Sequence, residues 1–144
     1  MTDQLPDRPQ EPPPPPPAPA PQPPERVRAL RGATTLDVDE REHLFARTQE
    51  LVAAVLERNE LSEDDLISIV FTATDDVHSA FPAEAAREAG ITHVPLLCTR
   101  ELDIEGGIER CIRILIHAYT RRGARELRHV YLHAARQLRT DLPE

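Results

Sequence analysis

The sequence predicts an α+β protein in which a mixed β-sheet packs against one long and one short helix. Three observations support this class. Residues 25–144 have the composition of a folded domain. Five stretches either alternate apolar and polar residues or are rich in β-branched residues, as strands are, and two stretches repeat apolar residues at helical spacing. The predicted order is strand, helix, strand, helix and three further strands. The long helix is expected to cover one face of the sheet.

Residues 1–24 are predicted to form a disordered, proline-rich tail outside the domain of residues 25–144. Twelve of the 15 prolines lie there, including an unbroken run at 12–17, and almost nothing apolar accompanies them. Proline favours an extended, solvated polyproline II conformation, so the tail cannot build a core. A solubilising extension and a docking ligand for an unknown partner both fit this composition.

Composition excludes several functions. The net charge is −8 and all 17 basic residues are arginine, which excludes lysine Schiff-base chemistry and a phosphate-loop lysine. No nucleic-acid partner is expected for so acidic a chain, and no apolar stretch is long enough to span a membrane. Two cysteines suit free thiols and a cytoplasmic location.

The first strand and the long helix have clear boundaries. Residues 27–33 alternate, with Arg31 on the face opposite Leu30, and predict a strand. Asp37 and Glu40 resemble a capping box. Apolar residues then follow at helical spacing until Asn59, so a long amphipathic helix is expected there.

The middle of the chain predicts strand, short helix and strand. Residues 66–73 are β-branched and nearly continuously apolar, which indicates a covered or central strand. Pro82 can open a helix, and residues 83–89 continue it until Gly90 stops it. Residues 93–98 again read as a strand.

Two further strands are predicted at residues 108–119 and 127–134. The first has period two, with Ile108, Ile112, Ile114 and Ile116 on one face and Cys111, Arg113, Leu115 and His117 on the other. Arg113 therefore lies in a largely apolar row. A charge in such a place requires a partner and often marks a site.

The histidines, the thiols and the paired glycines give weak signals. His129 and His133 are four residues apart but lack a third ligand, so hydrogen-bonded or solvated histidines are favoured and no metal is expected. Cys98 has no neighbouring base and is not predicted to be a nucleophile. Gly106 and Gly107 suit a tight turn.

Arginines are the strongest candidates for a site. Arg31, Arg87, Arg113 and Arg139 lie in four separate predicted segments. The guanidinium group is a planar fork that matches a carboxylate and keeps its charge, so several converging would bind a dianionic organic acid.

Four ordered stretches resemble the trimeric α/β class of chorismate mutase, which is distinct from the all-helical class. They are VRALRGATT at 27–35, TATDDVHSAFPAEAAREAG at 72–90, VPLLCTRELDIEGGIERCIRILI at 94–116 and RHVYLHAARQLRTDL at 128–142. The resemblance implies a pseudo α/β barrel formed as a homotrimer, with active sites at the subunit interfaces. It implies rearrangement of chorismate to prephenate without a cofactor or metal.

The resemblance also implies roles for residues. Arg113 matches the cation placed against the ether oxygen, Arg31 and Tyr131 match the ligands of the enolpyruvyl carboxylate, and Glu101 with Cys98 matches the contact to the ring hydroxyl. The other implied substrate-binding residues are Phe81, Ala83 and Arg87 from the adjacent subunit, then Leu97, Thr99 and Arg100, and finally Leu138 and Arg139 in a C-terminal segment that covers the mouth.

Two departures from the family and two rival functions accompany this resemblance. Glu84 stands where a basic residue can occur in relatives, and Thr140 stands where a proline is expected, so weaker capture of a dianion and looser closure are predicted. A trimeric imine or enamine hydrolase of similar fold is one alternative. A non-catalytic module that binds a carboxylate metabolite is the other.

Overall fold

The computed structural model describes Thr2 and residues 7–139, and five strands within them form one mixed sheet. β4 pairs antiparallel with both β1 and β2, while β3 lies parallel to β2 and β5 lies parallel to β1 at the two edges. The sheet order is therefore β3-β2-β4-β1-β5, and the predicted α+β class is confirmed. The strands are β1 (Arg26–Thr35), β2 (Leu66–Ala73), β3 (Leu96–Arg100), β4 (Cys111–Thr120) and β5 (Val130–Tyr131).

Two helices, α1 (Arg41–Arg58) and α2 (Pro82–Glu88), cover one face of the sheet and enclose the main core. Gly32 lets α1 approach β1 closely, since a Cβ there would lie 3.1 Å from Leu51 Cδ1 and 3.1 Å from the carbonyl oxygen of Val130. The buried Asn59 ends α1, and its side chain binds the backbone N–H and carbonyl of Arg128. Both helices were predicted; α1 ends before Asn59 as expected, and α2 ends at Glu88, one residue before the predicted end.

The alternation of β4 is confirmed along the strand itself. Ile112, Ile114 and Ile116 are buried on the face that α1 and α2 cover, whereas Arg113 and Leu115 are partly exposed on the other face. The placement of Ile108 beside these isoleucines was wrong. A turn with a positive φ of 43° at Arg110 breaks the alternation, and Ile108 packs against the opposite face instead.

Four predicted strands have different ends in the structure. β1, predicted at 27–33, runs from Arg26 to Thr35, because Thr34 and Thr35 pair with β4. β3 begins at Leu96 rather than His93, because the N–H groups of Thr92 and His93 donate to Glu63 instead of to a neighbouring strand. β4 begins at Cys111 rather than Ile108. The predicted strand at 127–134 contains only the two residues of β5, because the chain turns at His133 (φ 55°) into a 3₁₀ helix, His133–Leu138.

The predicted capping box at Asp37 and Glu40 is wrong. Glu40 occupies the N-cap of α1, but no side chain there binds a helix N–H. The Asp37 carboxylate instead accepts a hydrogen bond of 2.7 Å from Arg47 Nη2. The Asp37 side chain is thus paired with Arg47 and does not cap α1.

Residues 7–25 form neither a helix nor a strand and are exposed. Arg121 Nη1 donates a hydrogen bond of 2.7 Å to the carbonyl oxygen of Pro23, which ties the end of this segment to the domain. Within the described part of the chain, no helix is both long and apolar enough to cross a bilayer.

Candidate active site

One row of side chains crosses the sheet on the face opposite α1. The register sets Tyr131 beside Ala33, Ala33 opposite Arg113, Arg113 opposite Thr72, and Thr72 beside Thr99. Paired residues in adjacent strands point to the same face, so these five side chains share one surface. Arg113 lies in the middle of the row because β4 is the central strand.

Arg113 has the partner that its position in an apolar row required. Its Nε atom lies 3.2 Å from Oε1 of Glu101, and the Glu101 side chain is only 19% exposed against 42% for Arg113. The Thr72 hydroxyl donates a hydrogen bond to the same Oε1 atom. The Glu101 backbone N–H donates to the carbonyl oxygen of Ala73 at 3.0 Å, which fixes the start of the loop after β3.

A cleft of about 390 Å³ opens over this ion pair and is called the Arg113 cleft. Its volume lies within the range of small-molecule sites, about 300 to 1,000 Å³. Of its described lining residues, five are acidic and one, Arg113, is basic, so the cleft of a single chain carries a net negative charge. The cleft is lined by Thr74, Asp75, Asp76, Glu101, Leu102, Asp103, Ile104, Gly107, Ile108, Glu109 and Arg113.

A second cleft, of about 540 Å³, is called the Phe81 cleft and holds a different group of the predicted residues. Phe81 is 65% exposed at its wall, and Cys98, Thr99 and Arg100 line it too. Arg100 is held by Asp75 through two hydrogen bonds, of 3.1 and 2.8 Å. The structure therefore divides the predicted site between two clefts of one chain.

The predicted carboxylate ligands lie near the Arg113 row. The sheet face opposite α1 and α2 is called the open face. Arg31 is exposed on β1 and pairs with Leu115. This pair is two residues along the strands from the Ala33–Arg113 pair and lies on the same open face. Tyr131 is half-buried and packs in a small cluster with Cys111 and Ala33. Leu97 is 61% exposed on the same open face, at the β3 edge.

Several predicted residues lie away from the two clefts. The Ala83 side chain is buried in the core, and Arg87 is exposed on α2 without lining either cleft. Leu138 packs beside Tyr131 at the end of the 3₁₀ helix, and Arg139 follows it. Thr140 lies outside the described residues.

Cys98 does not share a face with Glu101's partners. It pairs with Phe71, whose side chain is in the core, and it packs against that core from the β3 edge. Its side chain is therefore on the helix-covered face, and Cys98 also lines the Phe81 cleft.

The histidines make the hydrogen bonds that were predicted for them. The Arg31 backbone N–H donates to Nδ1 of His129 at 3.0 Å, while Nε2 of His133 lies 3.1 Å from the Glu50 carboxylate. Burial, together with the charges of Arg31 and Arg139, lowers the pKa of His129. No three histidine, cysteine or carboxylate side chains gather as metal ligands within residues 7–139.

Cys111 lies beside Arg113 but is unsuited to nucleophilic chemistry. Burial raises the pKa of its thiol to about 11, although the neighbouring Arg113 acts in the opposite direction. The thiolate is the nucleophilic form, so this cysteine behaves as a small apolar core residue.

Two residues of this region were missed in the sequence. Thr72 holds Glu101, and Asp75 lines both clefts while it binds Arg100. Period-two alternation in β2 places Thr72 on the face with Ser68, which is a signal that was available. Asp75 follows the strand in a loop, where no periodicity applies.

The fold and the site together define a small α+β protein with an arginine–glutamate pair at the centre of one sheet face. The family model for chorismate mutase type I matches residues 27–142. The chain belongs to this family, and it is a chorismate mutase, an isomerase of aromatic amino-acid biosynthesis.

Individual relatives agree with this assignment. The chain is 38% identical over 117 residues to chorismate mutase AroH of Bacillus subtilis (strain 168), covering 81% of this chain and 92% of the relative. It is 44% identical over 117 residues to chorismate mutase AroH of Thermus thermophilus, covering 81% and 96%. A solved chorismate mutase from Clostridium thermocellum superposes with a TM-score of 0.75 at 44% identity, covering 76% of this chain and 97% of that one.

Proposed function

We propose that Arg113 is the cation that accelerates the rearrangement of chorismate to prephenate. The observation that carries this proposal is the arginine's position at the centre of the open sheet face, held by Glu101 over a cleft of suitable size. In this reaction the ether C–O bond breaks as a C–C bond forms, and negative charge develops on the ether oxygen. A fixed cation favours that charge distribution over the ground state.

The rate acceleration expected of such a cation is compatible with this role. An acceleration of about 10⁶ corresponds to roughly 8 kcal/mol of barrier. One preorganised donor to a developing oxyanion supplies about 3 to 4 kcal/mol, and restriction of a flexible substrate to its compact conformer supplies the remainder. Arg31 and Tyr131, which flank the Arg113 row, are proposed to hold a carboxylate of that conformer.

Glu101 is proposed to orient the substrate through its second oxygen. Oε1 already faces Arg113 and accepts the Thr72 hydroxyl, so Oε2 is the atom that can accept a hydrogen bond from the ring hydroxyl. Thr72 thus acts on the substrate only through Glu101. Leu138 and Arg139, at the end of the 3₁₀ helix, are proposed to cover the mouth.

A homotrimer is proposed because the candidate residues occupy two clefts of one chain. The open face also leaves apolar surface uncovered, since Leu97 is 61% exposed. If the Phe81 cleft of one subunit meets the Arg113 cleft of the next, Phe81 joins the reacting groups of the neighbouring subunit, and Arg87, exposed on α2, is proposed to face the same interface. In a closed ring of three copies, each interface would join the Phe81 cleft of one subunit to the Arg113 cleft of the next.

Residues 1–24 are proposed to be a disordered tail, with residues 25–144 as the catalytic domain. The exposed backbone of residues 7–24 and its proline content support this division. A cytoplasmic location fits two cysteines that form no disulfide. Deletion of residues 1–24 is expected to leave turnover unchanged, and a loss of turnover in the folded truncated protein would contradict the division.

The loss of chorismate's ultraviolet absorbance, with prephenate identified as the product, tests the central assignment. Arg113→Ala is expected to lower kcat at least 10²-fold, and Arg113→Lys substantially, because a lysine lacks the planar fork. Arg125→Ala, an exposed arginine in the loop after β4, serves as the matched control and should retain wild-type turnover. Near-normal kcat in both folded Arg113 variants would refute the assignment.

Mixing of subunits tests the shared site. Arg113→Ala and Phe81→Ala are expected to be weakly active as separate proteins. When the two are unfolded and refolded together, some interfaces regain an intact pair of clefts, so activity should rise well above that of either parent. Sedimentation velocity should give a trimer, and an active monomer would overturn the proposed assembly.

A further inference from the structure

Arg41 and Glu84 form an ion pair at the wall of the Phe81 cleft. Arg41 opens α1, Glu84 lies on α2, and Arg41 Nη1 donates to Glu84 Oε2 at 2.8 Å. Both residues line the cleft together with Phe81. Neither was expected to bind substrate, and Glu84 was expected to weaken the capture of a dianion.

The Arg41 guanidinium is held in place by two neighbours and still has donors to offer. Its Cζ atom lies 4.3 Å from the centroid of the Phe45 ring, in a cation–π contact that adds to the bond with Glu84. Among the described residues, no hydrogen bond uses its Nε or Nη2 atom. These two N–H groups can form the paired hydrogen bonds that a carboxylate accepts.

The pair is a weak structural tether. The Arg41 side chain is 58% exposed and that of Glu84 is 35% exposed. Ion pairs this exposed to solvent add little to stability. The geometry is better explained by a positioning role, in which Glu84 and Phe45 keep one guanidinium at the wall of the cleft.

We propose that Arg41 is a substrate-binding residue that receives a carboxylate of chorismate at the mouth of the Phe81 cleft, with Glu84 as its positioning residue. The cation that a basic residue at position 84 would supply is thus supplied from α1. This inference rests on the proposed use of the Phe81 cleft as part of the active site. It assigns Arg41 to binding, and the rearrangement itself remains with Arg113.

Steady-state kinetics of three variants of the full chain test the proposal. Arg41→Gln is expected to raise KM for chorismate about fivefold with kcat within about twofold of wild type, since the lost contact is made equally in the ground and transition states. Arg41→Lys should recover part of the loss. Glu84→Gln should raise KM by less than Arg41→Gln does, with kcat unchanged, because Arg41 loses one of the two contacts that position it.

The Arg41→Gln/Glu84→Gln double variant separates a positioning role of Glu84 from a direct effect of its charge. If Glu84 acts only through Arg41, the double variant should have the KM of Arg41→Gln alone, whereas additive effects, or a lowered KM in Glu84→Gln, would overturn the proposal. Arg125→Gln removes a positive charge far from the cleft and should leave KM unchanged. An unchanged KM in Arg41→Gln would also overturn it, whereas a failure of the trimer would appear in sedimentation and not in this comparison.

Discussion

The Thr72 hydroxyl donates a hydrogen bond to the Glu101 carboxylate across two parallel strands, on the oxygen atom that also faces Arg113. The Thr72 side chain comes from β2, and Glu101 comes from the first position after β3. One carboxylate oxygen is therefore shared by a neutral donor and a cation. The arrangement fixes which way the second oxygen points.

Thr72→Val tests this positioning. Valine keeps the shape of threonine but removes the donor, so Glu101 is expected to rotate and kcat/KM to fall about tenfold, as for a lost hydrogen bond to a charged group. Thr72→Ser keeps the hydroxyl and should restore most of the activity. Equal kinetics for the valine and serine variants would show that the hydroxyl plays no part.

Cys111 is expected to resist alkylation in the native protein. With its pKa raised to about 11 by burial, only about a thousandth of the thiol is ionised at pH 8, and the side chain is fully buried. Iodoacetamide followed by peptide mass spectrometry should find no label at Cys111 until guanidinium is added. Rapid native labelling at this residue would contradict the buried position.

Gly32→Ala is expected to destabilise the fold by about 1 to 3 kcal/mol, because the added methyl group overpacks the interface of α1 with the sheet. The new Cβ would meet Leu51 Cδ1 and the Val130 carbonyl, both at 3.1 Å. Thermal unfolding at fixed protein concentration measures the change. Gly123→Ala is the control, since its Cβ would meet only the flexible end of Glu126; equal losses in both variants would refute the explanation.

Asp76 is expected to stabilise the protein above acidic pH. Burial raises its pKa, but hydrogen bonds from the Thr74 hydroxyl and the Arg110 N–H, with the charge of Arg110, outweigh burial and lower the pKa from 3.8. A carboxyl whose folded pKa is depressed contributes stability above its unfolded pKa. That stability disappears as pH falls through the folded value.

Asp76→Asn measures this contribution. The variant should be less stable than wild type at pH 7, and the difference in unfolding free energy should shrink as pH falls below about 4. Asp64→Asn, at an exposed carboxylate, is the matched control. If the difference in unfolding free energy between wild type and Asp76→Asn is the same at pH 7 and pH 3, the charge of Asp76 does not stabilise the fold.

Local sequence patterns predicted most of the fold. Period-two alternation gave β4 and its buried isoleucines, helical spacing gave α1, and Pro82 with Gly90 bounded α2. The errors lie where longer-range bonds replaced a local pattern. The Glu63 carboxylate accepts a hydrogen bond from the backbone N–H of Thr92, ahead of β3. The Asp37 carboxylate accepts one from Arg47 and does not cap α1.

The sequence by itself also determined that Arg113 requires a partner, because a charge in an apolar row is costly unless it is paired. It did not determine which carboxylate pairs with it, nor that Thr72 binds that carboxylate and Arg41 lines the Phe81 cleft. These contacts join residues on different strands and helices, so they depend on strand order and on how α1 and α2 pack. Only the tertiary structure decides them, because a side-chain contact is set by distance in space and not by spacing along the chain.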